Sequence, residues 1–235
     1  MTDSGAGPLP PDAPESTSPS PSRLFLVRHA QSAWNRDRRI QGQTDSPLSE
    51  LGRGQAALLA ERLAGGRWVG LWSSDLRRAR ETAAALEAAL GLAAELDAGL
   101  REIGLGGWEG RSREEIEAED PGRWEMWRRE PDWDVVPGSE GTEPFRIRVE
   151  AAMARIAARH PGGDVLVVTH GGVIQVTLAA ALGRPARGRF GFVIGNASVT
   201  VVGRREGRLV IERVNDTCHL DALEASPAPE SALPR

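Results

Sequence analysis

The stretch Leu24-Phe25-Leu26-Val27-Arg28-His29-Ala30 joins four apolar residues to an arginine–histidine pair. A second stretch, Val165-Leu166-Val167-Val168-Thr169-His170-Gly171-Gly172, repeats this form much later in the chain. Short apolar runs bounded by polar residues or glycines are typical of buried strands. The two stretches therefore predict two strands, each with a histidine at its carboxyl end.

Helical patterns alternate with strand patterns along the rest of the chain. Further strands are predicted at Trp68–Trp72 and Ala93–Leu96, with a closing hairpin at Val199–Val202 and Leu209–Val214. Helices are predicted at Ser49–Leu63, from a Ser74 cap to Leu90, at Thr142–His160 and at Gly172–Leu182, with two short helices within the irregular Leu105–Ser139. This order indicates a three-layer α/β fold, with a mostly parallel central sheet and helices on both faces. Ligands in such folds bind beyond the carboxyl ends of the strands.

The composition indicates one domain between two tails. Of the 235 residues, Met1–Ser22 are rich in proline, serine and glycine. We expect this segment to be disordered, because it offers little apolar surface to bury. A shorter flexible tail is expected at 224–235, which leaves one globular domain at 23–223.

Charge and cysteine content exclude several functions. The formal net charge of -4 gives no basic field for nucleic acid or a membrane surface. No signal peptide or membrane-spanning run is found, so we expect a cytoplasmic protein. All basic residues are arginines, which excludes Schiff-base and P-loop lysine chemistry. The single cysteine, Cys218, is expected to pack as a small hydrophobe. No residue spacing indicates a metal site, and no cofactor is expected.

Two histidines and two arginines predict an anion site at one sheet edge. His29 and His170 would meet there, and Arg28 directly precedes the first of them. Arg78 lies in the first turn of the helix that follows Trp68–Trp72. Arginines beside a helix N-terminus favour a tetrahedral anion. We therefore expect these four side chains to surround one phosphoryl group.

An acid completes the predicted chemistry. Two adjacent guanidinium groups disfavour protonation of His29, so we expect its ring to be neutral. The same groups would stabilise charge on the equatorial phosphoryl oxygens. Glu102, which follows the Ala93–Leu96 strand, is the candidate acid because an alkoxide leaving group needs a proton.

An ordered set of motifs resembles the histidine phosphatase superfamily, also called the phosphoglycerate mutase-like family. The motifs, which cover nearly all of the globular domain, are Leu26-Val27-Arg28-His29-Ala30 with Asn35, Gln41–Leu48, Ser73–Ala79, Leu100-Arg101-Glu102, Trp108-Glu109-Gly110 and Thr169–Gly172. The resemblance implies the fold of that family and a metal-independent phosphatase. Within the family the pattern is most similar to the branch of glucosyl-3-phosphoglycerate phosphatases, with α-ribazole phosphatases nearby.

The resemblance also implies the role of each site residue. His29 attacks phosphorus and becomes phosphohistidine. Glu102 protonates the leaving oxygen and later takes a proton from the attacking water. The phosphoryl group is bound by the remaining residues, namely Arg28, Asn35, Gln41, Gly42, Arg78, His170 and Gly171. The implied substrate is a small phosphomonoester of the sugar phosphate or phosphoglycerate type.

The sequence leaves other functions open. Mutases of this family have a longer insert after the acid residue, with a lysine and paired arginines. This chain has a short insert and no lysine, although Arg128-Arg129 offer one such pair. A third alternative is a catalytically inactive binding module, against which the complete set of site residues argues.

Two further features bear on substrate and assembly. Many phosphatases of this family carry Gly-Gly-Glu-Ser before the last long helix. Here Pro137-Gly138-Ser139-Glu140-Gly141 keeps the glutamate but shifts the small residues. The exposed edge of the predicted C-terminal hairpin is compatible with a homodimer.

Overall fold

A computed structural model describes residues 23–186, 188, 191–205, 208–221 and 223. The strands are β1 Arg23–Arg28, β2 Trp68–Ser73, β3 Ala94–Leu96, β4 Asp164–Thr169, β5 Val199–Arg205 and β6 Arg208–Asp216. The helices are α1 Ala33–Arg36, α2 Glu50–Leu63, α3 Arg77–Leu90, α4 Arg113–Glu119, α5 Pro121–Arg129, α6 Thr142–Arg159 and α7 Gly171–Ala181. None of the helices in this described part is long and apolar enough to cross a membrane. The tails expected at 1–22 and 224–235 lie outside the described residues.

The six strands form one mixed sheet in the order β3-β2-β4-β1-β5-β6. The pairs β2–β3, β2–β4 and β1–β4 are parallel, whereas β5 pairs antiparallel with both β1 and β6. The predicted α/β class, the mostly parallel sheet and the closing hairpin are therefore confirmed. β6 forms one edge of this sheet, and dimerisation through that edge stays a prediction.

Each face of the sheet carries its own apolar core. Along β1, Leu24 and Leu26 face one core, which includes residues of α6 and α7. Val27 faces the other core, to which α2 and α3 contribute. This alternation follows from the two-residue period of a strand and explains why every residue of the run is apolar. The two covered faces confirm the predicted three layers.

The segment between β3 and α6 holds most of its tryptophans in the core. Trp108, Trp124, Trp127 and Trp133 are all buried. Trp108 packs edge-on against Trp124 and Trp127, with ring centroids 6.1 and 5.2 Å apart. These contacts join α5 to the 3-10 turn Gly106–Trp108 within the core on this face of the sheet.

The structure overturns two local predictions. Ser74 is not the N-cap of the helix that follows it, because the N-cap of α3 is Leu76. The first N–H of the helix, that of Arg77, donates instead to the Asp45 side chain at 2.9 Å. Cys218 is exposed rather than packed in the core. It lies in a short 3-10 turn after β6, where its sulfur contacts the guanidinium of Arg62.

Truncating a central strand should destabilise the whole fold. Leu26 is fully buried in β1, so Leu26→Ala should lower the free energy of unfolding by about 2–5 kcal/mol. Leu96, at 53% exposure on edge strand β3, is the matched control, and Leu96→Ala should cost less than about 1 kcal/mol. Urea unfolding of both variants measures the difference, and equal costs would contradict this description of the core.

Candidate active site

The strand register brings three polar residues to one edge of the sheet. Arg28 pairs with Thr169 across β1 and β4, and Ser73 pairs with Val168 across β2 and β4. The next residue of each strand is then His29, His170 or Ser74. Because parallel strands share their direction, these three residues emerge side by side. The ring centroids of the two histidines are 5.1 Å apart.

Backbone contacts fix the tautomer of His29. Its Nδ1 lies 2.8 Å from the carbonyl oxygen of Ala30, which only accepts, so Nδ1–H is the donor. The neutral ring then carries a lone pair on Nε2. The main-chain N–H of His29 also donates to Thr169 O at 2.8 Å. His29 is thus a buried imidazole with its free nitrogen fixed in position.

Ser74 is the hydrogen-bond partner of His170. The Ser74 hydroxyl lies 2.8 Å from His170 Nε2 and accepts from Leu76 N–H at 3.3 Å. In the tautomer in which the hydroxyl donates its proton to Nε2, the ring N–H lies on Nδ1. This Nδ1 atom is buried without a partner in the described structure. In this tautomer a neutral His170 can therefore still donate a hydrogen bond to an anion.

Two guanidinium groups lie beside the histidines without an ion-pair partner in the described part of the chain. Arg28 donates to Ile194 O at 2.5 Å. Arg78 is fully buried and donates to Gly42 O at 2.7 Å and Thr44 O at 3.0 Å. The Nε of each arginine is buried and unpartnered within the described residues. Buried arginines whose donors are left free form a strong site for a tetrahedral anion.

Burial and mutual repulsion keep the histidines neutral. The pKa of His29 lies well below its ordinary value, first because the ring is buried and then because Arg78 and Arg28 repel a second positive charge. Burial, Arg78 and the neighbouring His29 likewise lower the pKa of His170 well below the ordinary range. Burial also lowers the pKa of Arg78 to about 10, which still leaves it charged at neutral pH.

Glu102 is held at the N-terminus of α7. Its Oε2 accepts from Gly172 N–H at 3.1 Å, and its Oε1 accepts from Ile103 N–H at 3.0 Å. A Cβ at Gly172 would collide with this carboxylate, which explains the glycine there. A Cβ at Gly171 would lie 3.7 Å from Arg28 Nε and 4.0 Å from Glu102 Oε2. Glu102 and Arg28 therefore border the same small space in front of Gly171.

Asn35 on α1 and Gln41 in the loop after it belong to the segment that follows His29. Asn35 Oδ1 accepts from Ser32 N–H at 3.1 Å, which leaves its amide NH₂ available to donate. Gln41 Oε1 accepts from the Ser32 hydroxyl at 2.7 Å. Gly42 takes a positive φ of 52° and turns its carbonyl toward Arg78. All nine site residues predicted from the sequence thus lie on β1, α1, α3, α7 or the loops at this edge.

Asn196 is a site residue that the sequence reasoning did not identify. Its Nδ2 donates to the carbonyl of His29 at 3.0 Å and to Asn35 Oδ1 at 3.2 Å. The next residue, Ala197, has a positive φ of 55° and donates its own N–H to the same His29 carbonyl at 3.3 Å. The loop before β5 therefore fixes the backbone of His29. A lone asparagine before a predicted strand gave no signal of this contact.

Glu140 and Arg148 form a supporting pair beneath Glu102. The Arg148 guanidinium donates to both oxygens of Glu140 at 2.7 Å and to the carbonyl of Glu102 at 3.2 Å. It also donates to Gly99 O and Arg101 O. Glu140, in the segment before α6 whose small residues are shifted, is thus bound to Arg148. This pair holds the segment that carries Glu102.

Comparisons with known proteins identify the family of this chain. Residues 24–217 match the profile of the histidine phosphatase superfamily (branch 1). A mycobacterial glucosyl-3-phosphoglycerate phosphatase, solved in complex with VO3, superposes with a TM-score of 0.74 at 36% identity, covering 83% of this chain and 98% of that one. A putative α-ribazole-5'-P phosphatase from Escherichia coli superposes with a TM-score of 0.76 at 27% identity, covering 83% and 97%. The chain belongs to the histidine phosphatase superfamily.

A curated relative carries a different activity in its name. The probable phosphoglycerate mutase GpmB of Yersinia pestis is 34% identical over 208 residues, which cover 85% of this chain and 95% of that protein. Phosphatases and mutases are thus both among the proteins similar to this one. Family membership alone does not distinguish hydrolysis from isomerisation.

The lowered histidine pKa values predict a pH-dependent stability. His29 and His170 stay neutral when folded but take up protons near pH 6.5 when unfolded. The unfolded state then binds more protons, so the free energy of unfolding should fall as pH drops below about 6.5, by up to about 1.4 kcal/mol per pH unit for each histidine. Urea unfolding between about pH 5 and pH 7 tests this. His29→Asn should remove about half of the slope, and an unchanged slope would contradict the argument.

Proposed function

We propose that the protein hydrolyses small phosphomonoesters through a phosphohistidine intermediate on His29. The observation that supports this most strongly is the free Nε2 of His29 beside the guanidinium groups of Arg28 and Arg78, whose buried Nε atoms have no partner in the described structure. A neutral nucleophile and an unfilled anion site therefore lie together. This combination suits phosphoryl transfer, in which positioning and charge stabilisation perform most of the catalysis.

In the first step, Nε2 of His29 attacks phosphorus while the bond to the leaving oxygen breaks. Arg28, Arg78 and the Nδ1–H of His170 donate to the phosphoryl oxygens, where negative charge is concentrated. Glu102, protonated at this stage, gives its proton to the leaving alkoxide, and the alcohol departs. The product is phosphohistidine beside an ionised Glu102.

In the second step, water replaces the alcohol. Glu102 takes a proton from this water as its oxygen attacks the phosphorus of phosphohistidine, and the P–N bond breaks. Inorganic phosphate leaves, and His29 regains its lone pair on Nε2. Glu102 thus serves first as an acid and then as a base, so one carboxyl group at one position completes the cycle.

The comparisons support a small phosphorylated metabolite as the substrate. The similar structures include a phosphatase named for glucosyl-3-phosphoglycerate and one named for α-ribazole-5'-P. The alignment with each extends over most of both chains, and the full set of site residues is present here. We therefore propose a sugar phosphate or phosphoglycerate type of substrate, without a requirement for nucleic acid or membrane.

A phosphoglycerate mutase is the second candidate, because a curated relative carries that name. A mutase must also hold the carboxylate of its substrate, and Arg128-Arg129 are the paired arginines available for this. Both pair with Glu125 on the exposed side of α5, at 3.2 and 2.9 Å. Exposed pairs of this kind are weak, so they neither hold these arginines firmly nor aim them at the site.

Phosphate release in EDTA tests the proposed function directly. The panel contains an aryl phosphate, 3-phosphoglycerate, glucosyl-3-phosphoglycerate and α-ribazole phosphate. We expect turnover of at least one of them, with loss of all detectable turnover in His29→Ala because the nucleophile is gone. His160→Ala is the matched control and should retain activity, because His160 ends α6 before the start of β4, at the opposite end of that strand from His170.

The outcomes of this panel separate the candidates. Conversion of 3- to 2-phosphoglycerate with little release of phosphate would overturn the hydrolase in favour of the mutase. The absence of both reactions would leave a binding module. Turnover that persists in His29→Ala would refute the phosphohistidine intermediate.

The role of Glu102 predicts a dependence on the leaving group. Glu102→Gln removes the proton donor but keeps the shape of the side chain, so an alkyl phosphate should lose about 10²–10⁴ in kcat. An aryl phosphate, whose leaving oxygen needs little protonation, should lose far less in its first step. Rapid-mixing measurement of alcohol release from both substrates tests this, and equal losses would show that Glu102 is not the acid.

A further inference from the structure

The position of Arg78 depends on a short loop. Its guanidinium contacts two main-chain carbonyls, those of Gly42 and Thr44, and forms no ion pair in the part of the chain that the structure describes. A fully buried guanidinium would ordinarily be held by a carboxylate. In this protein the carbonyl groups of Gly42 and Thr44 take the place of that carboxylate. Any displacement of Gly42 or Thr44 would therefore displace the donors of Arg78.

Glu109 holds the same loop from its other side. Its Oε1 accepts from Gln43 N–H at 3.0 Å and from Leu105 N–H at 2.9 Å. Its Oε2 accepts from the Thr44 hydroxyl at 2.5 Å. A Cβ at Gly42 would collide with the carboxylate, so the loop backbone lies directly against it. Both carboxylate oxygens are thus occupied by the loop and its neighbour.

The contacts alternate along the loop. The carbonyls of Gly42 and Thr44 face Arg78, whereas the N–H of Gln43 and the hydroxyl of Thr44 face Glu109. The negatively charged Glu109 carboxylate, the polar groups of the loop and the positively charged Arg78 guanidinium therefore lie one after another. Hydrogen bonds arranged in this way strengthen each other in a buried environment. Glu109 acts on Arg78 through the loop and does not touch it.

We propose that Glu109 is a positioning residue that aims the Arg78 guanidinium at the phosphoryl group by fixing the loop Gly42–Thr44. This inference rests on the proposed function for its catalytic consequence. The claim that Glu109 positions the Arg78 guanidinium requires only that the site binds a tetrahedral anion. Glu109 itself does not contact the substrate, because its oxygens accept bonds from the protein.

A double-mutant cycle tests this inference. Glu109→Ala, Arg78→Ala and the double variant are compared in kcat/KM for an aryl phosphate and in the dissociation constant of orthovanadate measured by calorimetry. We expect Glu109→Ala alone to weaken both by about 10–100-fold, as for loss of a charge-assisted contact. In the Arg78→Ala background the same change should have less than about a threefold effect, because residues that act as one unit are not additive.

The control variants separate positioning from general stability. Glu115→Ala removes a carboxylate that accepts a main-chain N–H from Ser112 at 2.8 Å on exposed α4, and it should change neither readout. Glu109→Gln, which keeps one acceptor oxygen, should recover part of the loss. If Glu109→Ala does not fold, Thr44→Val removes only the hydroxyl contact and should weaken vanadate binding a few-fold in the same direction.

The two readouts distinguish this inference from the proposed function. A protein that binds vanadate but hydrolyses no phosphomonoester would overturn the hydrolase, and the vanadate cycle would still test Glu109. Equal losses from Glu109→Ala in both backgrounds would overturn the positioning role. So would a Glu109→Ala variant that melts at a lower temperature but binds vanadate as the wild type does.

Discussion

The central constraint in this structure is the placement of two positive charges, one fully buried and one partly buried, at one edge of the sheet. Arg78 is fully inside the protein, and neither it nor Arg28 forms an ion pair within the described residues. Taking a charge out of water costs several kcal/mol unless other groups compensate. Carbonyls of Gly42, Thr44 and Ile194 supply part of this compensation. An incoming phosphoryl dianion would supply the rest, so the proposed substrate would balance the positive charge of the site.

The same charges explain the state of the nucleophile. Arg78 and Arg28 add to burial in lowering the pKa of His29, so the ring keeps its lone pair at neutral pH. They equally lower the pKa of His170, whose Nε2 lies beside the Ser74 hydroxyl. In the proposed mechanism, this one arrangement of charge would bind the anion, keep the nucleophile neutral and leave a neutral donor beside it.

The fold and the central residues could be predicted because they depend on local sequence. An apolar run fixes the end of a strand, and His29 and His170 follow directly. Contacts between distant segments could not be predicted. Ser74 precedes a helix and fits a cap pattern, but its partner His170 lies 96 residues further along the chain. Glu109 belongs to a recognisable motif, yet its role depends on a loop 65 and 66 residues away. Cys218 had no local pattern that could indicate its exposure.

The site combines residues whose positions are fixed by the sheet with residues whose positions depend on hydrogen bonds to neighbouring segments. The histidines directly follow β1 and β4, two central strands whose apolar residues pack in the cores on both faces of the sheet. The sheet therefore fixes the positions of both histidines. Arg78 and Glu102 instead depend on hydrogen bonds to loops, at Gly42–Thr44 and at the start of α7. Substitutions that remove these hydrogen bonds can therefore change the affinity of the site for a phosphoryl group without displacing His29. The proposed anion binding and the proposed phosphohistidine formation should therefore be separable by mutation, although both involve one small space.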